Sequence, residues 1–137
     1  MKIFGIGTDI VKVSRVKNLI RNKLFQSRIF NKEEISKCKK ILNYSSCFAK
    51  RFAAKEAFSK ALGTGIAKGI SFNEIMILNE KNGKPFIKLL NKTKKFVDKK
   101  FKKKKYKISL SIADEKNYAV AFVTISIWKK INLYLFW

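Results

Sequence analysis

Glu56 and Lys60 stand four residues apart in the stretch FAKRFAAKEAFSKALGTG (48–65), which is otherwise rich in small and apolar residues. On a helix, residues four apart project from the same side, one turn from each other. A carboxylate able to hold a metal and an ammonium able to hold a phosphate would then be neighbours. A surface salt bridge is the competing reading of that pair. A third charged residue, Asp9, sits in the apolar stretch KIFGIGTDIVKV (2–13). A carboxylate inside a strand is costly unless it is paired or bound to a metal; a turn residue at a strand break is the alternative. The chain has no histidine, which removes the usual general base, His-ligated zinc and His-assisted nucleophiles. Cys38 and Cys47 lack CxxC spacing and are expected as free thiols rather than a disulfide.

These residues need elements to position them. Residues 2–13 read as a strand, with Gly5 and Gly7 allowing a bend or a close backbone approach. Residues 14–24 suit a short helix capped by Ser14, with Arg15 and Arg21 on its outer side and Arg28 following in a second turn. Asn31 and Glu34 form a candidate capping box for the next helix. The central helix runs from Ser45 or Ser46 to Leu62, its apolar residues recurring at helical spacing. The turn Gly63-Thr64-Gly65 stops it, since glycine accepts the left-handed backbone a helix end often needs. A strand at 71–79, a turn at Glu80-Lys81-Asn82-Gly83 and a returning strand at 84–90 read as a hairpin, with Pro85 at a strand start or edge. Residues 91–105 form a very basic helix with the apolar stripe Phe96, Val97 and Phe101, read as a solvated helix anchored by its aromatics. Two strands follow at 106–113 and 117–127 around the turn Asp114-Glu115-Lys116.

The 137 residues suit one domain, 1–137, in which 128–137 is an apolar C-terminal extension. Thirty-two Lys and Arg against 9 Asp and Glu give a formal charge of +23, which favours a polyanionic partner. The first ten residues are too short an apolar run, too interrupted by glycine and aspartate, for a signal peptide, and no apolar run is long enough to span a bilayer. A basic nucleic-acid-binding module built on residues 91–105 is the alternative reading from another class; it predicts salt-dependent binding without need of Asp9 or Glu56.

Four motifs in order carry a resemblance to a known family: GIGTDIVKVSRV (5–16), FAKRFAAKEAFSKALGTGI (48–66), NGKP (82–85) and SLSIADEKNYAVAFV (109–123). The chain resembles the bacterial holo-acyl-carrier-protein synthases, the small class of 4′-phosphopantetheinyl transferases. The resemblance implies an α+β fold, an antiparallel β-sheet packed against helices, in a cytoplasmic homotrimer with sites at the subunit interfaces. It implies transfer of the phosphopantetheine arm of coenzyme A to a serine of apo-acyl carrier protein, a step of fatty acid biosynthesis that releases adenosine 3′,5′-bisphosphate. Asp9 and Glu56 match the two Mg²⁺-binding carboxylates, and Lys60 matches the lysine that holds the pyrophosphate, so these three are the catalytic candidates. Lys55 pairs with Glu56 or helps place it. Gly63, Thr64, Gly65 and Ser111 resemble positions touching the nucleotide or its phosphates. Lys84 and Pro85 resemble a loop meeting the adenosine from a neighbouring subunit. Arg15, Arg21 and Arg28 fall in the region that grips acidic carrier protein. The general base is either Glu56 or a metal-bound water. The chain departs from the family pattern at Asp114, where many members carry histidine, and in the tail after Ile127. No stable nucleic-acid or membrane partner is expected.

Overall fold

A computed structural model describes residues 1–64, 69–102 and 104–129; Gly65 and residues 130–137 of the extension therefore lie outside the described residues. In chain order the elements are β1 (Lys2–Lys12), α1 (Val13–Leu19), α2 (Lys23–Ile29), α3 (Lys32–Lys39), α4 (Tyr44–Leu62), β2 (Ile75–Asn79), β3 (Pro85–Leu89), α5 (Asn91–Lys100), β4 (Tyr106–Asp114) and β5 (Tyr118–Ile127). The expected α+β architecture is present. Strands β1, β5 and β4 form an antiparallel sheet in the order β1-β5-β4, and β2 pairs antiparallel with β3 in a separate hairpin.

The sheet follows from alternation. In β5, Ala119, Ala121, Val123 and Ile125 are buried beneath α4, while Tyr118, Val120 and Phe122 face outward. Strand β1 alternates in the same way, with Gly7 and Val11 inward and Ile6 and Ile10 outward. Gly5 and Gly7 face the helix. A Cβ at Gly5 would strike the carbonyl oxygen of Ala61, and one at Gly7 the carbonyl oxygen of Ala57. Glycine on the strand and alanine on the helix thus bring two backbones into direct contact.

Helix α4 is enclosed on nearly every side. Of its residues only Tyr44, Lys50, Glu56 and Lys60 escape burial. A helix this thoroughly covered is a core element, and its exposed members are polar groups or carry one. Asn43 caps it by accepting from the Ser46 N–H at 3.3 Å. Gly63 ends it in the left-handed conformation, with φ of 80°.

Several expectations are corrected. Ser14 does not cap α1: the chain stays extended to Lys12 and the helix begins at Val13, whose N–H donates to the Asn117 carbonyl at 2.9 Å. Asn22 caps a distinct α2 instead, accepting from Leu24 and Phe25. The strand expected from Ser71 opens with a 3₁₀ turn, Phe72–Glu74, before β2. The basic helix stops at Lys100, with Val97 and Phe101 buried and Lys94 bound to Asp98 and Tyr106. The aromatic anchoring thus matches expectation.

The two cysteines are not free. Cys38 of α3 and Cys47 of α4 form a disulfide across a sequence separation of 9, with their Cα atoms 5.5 Å apart. The turn between the helices folds one cysteine onto the other, a proximity that motif spacing does not reveal. A loop this short gives about 2–3 kcal/mol of stabilisation through restriction of the unfolded chain. Cys38→Ser is therefore expected to lower the unfolding free energy read from urea denaturation by about that much more in oxidised protein than in protein kept with a thiol reductant.

Candidate active site

Strand β1 brings Asp9 to the face that meets α4, where Lys60 receives it. The Lys60 ammonium donates to Asp9 Oδ1 at 3.1 Å and to the Thr8 carbonyl at 3.0 Å. Glu56 lies one helical turn before Lys60 on the same side. Its carboxyl is pushed above the usual range, first by partial burial and then by the negative charge of Asp9; Lys60 and Arg15 oppose the rise. That influence of Asp9 on Glu56 places the two carboxylates in one electrostatic neighbourhood although they are 47 positions apart in sequence. Lys60 is paired with Asp9 rather than committed to Glu56, so the surface salt bridge within the helix is not what forms.

Two carboxylates in one neighbourhood suit a hard divalent cation. Among the described residues no group of three or more His, Cys, Asp or Glu side chains gathers. Magnesium commonly takes one or two carboxylates and completes its shell with phosphate oxygens and water, so the donor set of Asp9 and Glu56 fits it.

Lys55 does not pair with Glu56. It points the other way, fully buried, and donates to Glu34 Oε1 at 2.7 Å and to the backbone carbonyls of Phe72 and Ile75. Glu34 is also fully buried; it accepts from the Asn31 N–H in the capping box and from the Ile77 N–H at 3.1 Å. Burial holds Lys55 down to about 8, against the raising effect of Glu34, so the ammonium persists at neutral pH. This knot ties α3, α4 and β2 together and fixes the rotation of α4 about its axis.

A second polar cluster lies at the other end of α4. Ser46 donates to Asp114 Oδ2 at 2.8 Å, and Lys50 approaches the same oxygen at 4.0 Å. These residues line a cleft of about 380 Å³ with Asn43, Arg51, Gly83 and Pro85. Arg51 is 8% exposed, donates to Cys47 Sγ at 3.1 Å and keeps a buried Nε without a partner among the described residues. Sequence reading singled out neither Lys50 nor Arg51 as a site residue. Helical spacing carried the signal, since 46, 47, 50 and 51 share one side of α4.

The expected residues therefore fall into separate groups. Asp9, Glu56 and Lys60 converge at the β1 edge of the sheet, with Gly63 just beyond as the cap and Thr64 holding a buried hydroxyl that has no partner among the described residues. Pro85 joins Asp114 near the opposite, β4 edge, while Lys84 is exposed on the hairpin. Ser111 lies on the outer face of β4 opposite Phe122. Ten residues of α4, about 15 Å, separate Ser46 from Glu56. Arg15, Arg21 and Arg28 are exposed on α1, the turn after it and α2, and none enters an ion pair among the described residues.

Residues 5–123 match the model of the 4′-phosphopantetheinyl transferase superfamily. The holo-[acyl-carrier-protein] synthase of Pelagibacter ubique (strain HTCC1062) is 48% identical over 125 residues, covering 91% of this chain and 98% of that protein. The crystal structure of holo-[acyl-carrier-protein] synthase from Neisseria meningitidis superposes with a TM-score of 0.82 at 37% identity, covering 91% of this chain and 99% of that one. The Bacillus anthracis structure, solved in complex with CoA (3′,5′-ADP), superposes with a TM-score of 0.73 at 34% identity, covering 90% and 96%. With two carboxylates and a lysine meeting where β1 touches α4, and with this match along nearly its whole described length, the chain belongs to the 4′-phosphopantetheinyl transferase superfamily.

Proposed function

We propose that Asp9, Glu56 and Lys60 are the reaction centre of a holo-[acyl-carrier-protein] synthase. The enzyme transfers the 4′-phosphopantetheine of coenzyme A to a serine of apo-acyl carrier protein. The observation that carries the assignment of the centre is the meeting of Asp9 with Lys60 beside a Glu56 whose carboxyl feels Asp9. The serine oxygen attacks the phosphorus next to pantetheine, the bond to the bridging oxygen breaks, and adenosine 3′,5′-bisphosphate leaves. The serine proton passes to Glu56 or to a water in the site. Lys60 neutralises charge on the leaving pyrophosphate oxygen. Asp9 and Glu56 would hold magnesium, which would supply charge neutralisation at the phosphates. Thr64, Gly63 and Gly65 would contact the nucleotide phosphates, and Arg15, Arg21 and Arg28 would attract the acidic carrier.

The single-domain chain is proposed to work as a cytoplasmic homotrimer. Two features support assembly. The outer face of the sheet exposes Ile6, Ile10, Val120 and Phe122, with Ile10 64% exposed, an apolar surface that association would cover. Pro85 and Asp114 also sit away from Asp9 within one chain, so a neighbour's β4 edge would have to supply them to the β1 edge, together with Lys84 and Ser111. The test is intact-mass analysis of apo-acyl carrier protein incubated with the protein, coenzyme A and magnesium. A gain of one phosphopantetheine, absent with a chelator, is expected. No gain with a carrier that another transferase modifies would reject the reading.

A further inference from the structure

One groove has none of the residues placed in the reaction among its described walls. Met1, Lys2, Lys104, Lys105, Ile127, Trp128 and Lys129 surround it at the end of the sheet where β1 begins and β5 finishes, and its volume is about 790 Å³. Its described walls combine three apolar side chains with four lysines, and no carboxylate stands among the described residues that line it. The Lys105 ammonium sits over the Trp128 ring at 5.4 Å, and next to the groove Lys100 sits over Phe4 at 5.6 Å. Residues 91–107 contain ten lysines and one acid, Asp98. Asp98 is taken up by Lys94 at 2.8 Å and by the Tyr106 hydroxyl, so little negative charge remains to offset that surface. Lys129 ends the described chain at the groove itself, and the sequence continues as KINLYLFW, with no charged side chain after Lys130.

We infer that this end of the molecule is a docking surface for an anionic lipid bilayer. Aromatic side chains flanked by lysines match the headgroup boundary, where rings sit at the interface and ammonium groups reach phosphates. A basic surface with apolar side chains binds such a membrane by combined charge attraction and shallow insertion. Aliphatic Met1 and Ile127, with the uncharged stretch at 131–137, favour lipid over nucleic acid, which would need stacking rings and phosphate contacts alone. The contact is reversible, not the stable membrane partner that the sequence reading excludes, and no described helix is long and apolar enough to cross a membrane.

The experiment is sedimentation of the full chain with vesicles of phosphatidylcholine, alone or with about one third phosphatidylglycerol. Binding is expected to be about tenfold or more tighter on the anionic vesicles and to weaken as salt rises. The double variant Lys104→Glu/Lys105→Glu should lose about tenfold or more of that binding, and Trp128→Ala should reduce it, while both keep phosphopantetheine transfer as the check on folding. Equal binding to neutral vesicles, or anionic binding untouched by both variants, overturns the proposal. So does RNA binding without vesicle binding. Vesicle binding that appears only after removal of residues 130–137 would make that segment the occupant of the groove, and self-association lost in Trp128→Ala would make it a second copy; either overturns it. Sedimentation does not read turnover, and circular dichroism of each variant reports folding even where no transfer occurs, so this outcome is independent of the proposed reaction.

Discussion

Replacing Asp9 or Glu56 with alanine is expected to lower the rate of phosphopantetheine transfer by ~1000-fold or more while the protein stays folded. Neither side chain fills the core. Glu56 is one of the few residues of α4 that escape burial, and Asp9 makes its described side-chain bond to the exposed Lys60. Their removal therefore creates no large cavity. What each replacement removes is one of the two negative charges that the proposed reaction sets against the phosphates, and no third acid joins them among the described residues. Asp9→Asn and Glu56→Gln keep the shapes and should fail nearly as badly. Circular dichroism should report an unchanged fold. A variant that keeps full turnover in magnesium would remove that carboxylate from the reaction centre.

Lys55→Met should destabilise the protein by about 3–5 kcal/mol, the usual consequence of leaving a buried charge without its partner. Lys55 and Glu34 are both fully buried, and the ammonium serves two further backbone carbonyls at the 3₁₀ turn and β2. Losing it strands Glu34 and two acceptors at once. Chemical denaturation of Lys55→Met, of Glu34→Leu and of the double variant separates the contributions. The double variant should lose less than the sum of the singles, because with both charges gone no ion remains unpaired. Additive losses would mean that the pair does not interact as the structure shows. A shift in α4 would also move Glu56, so the single variants should lower turnover in folded protein as well.

The placement of Glu56 and Lys60 was legible because it rides on local spacing. Glu56 and Lys60 share a helix side by four-residue periodicity, and the glycines before Asp9 mark a strand that a helix can approach closely. What stayed hidden was pairing over distance. Lys55 adjoins Glu56 in sequence, yet a helix turns neighbouring residues about 100° apart, and its true partner is 21 residues back. Glu34 read as a capping residue, which it is, but the same carboxylate also reaches β2. The cysteine pair depended on how the turn between α3 and α4 folds, and the Ser46–Asp114 contact on which strand lies under the start of α4. Ser14 was a plausible cap by type, but strand pairing carries the chain past the point where capping would begin.

The bare contact between Gly5 and Gly7 on one side and the carbonyls of Ala57 and Ala61 on the other has a consequence for tolerance to change. Where helix and strand are held apart by side chains, their separation drifts with each substitution. Here the spacer is the peptide backbone itself, whose dimensions no mutation alters. The reach between β1 and α4, and with it the distance between two acids on different elements, behaves as a fixed gauge. A chain so heavily enriched in lysine can therefore vary widely on its surface while that gauge keeps its setting, and an alanine at either glycine would be enough to lose it.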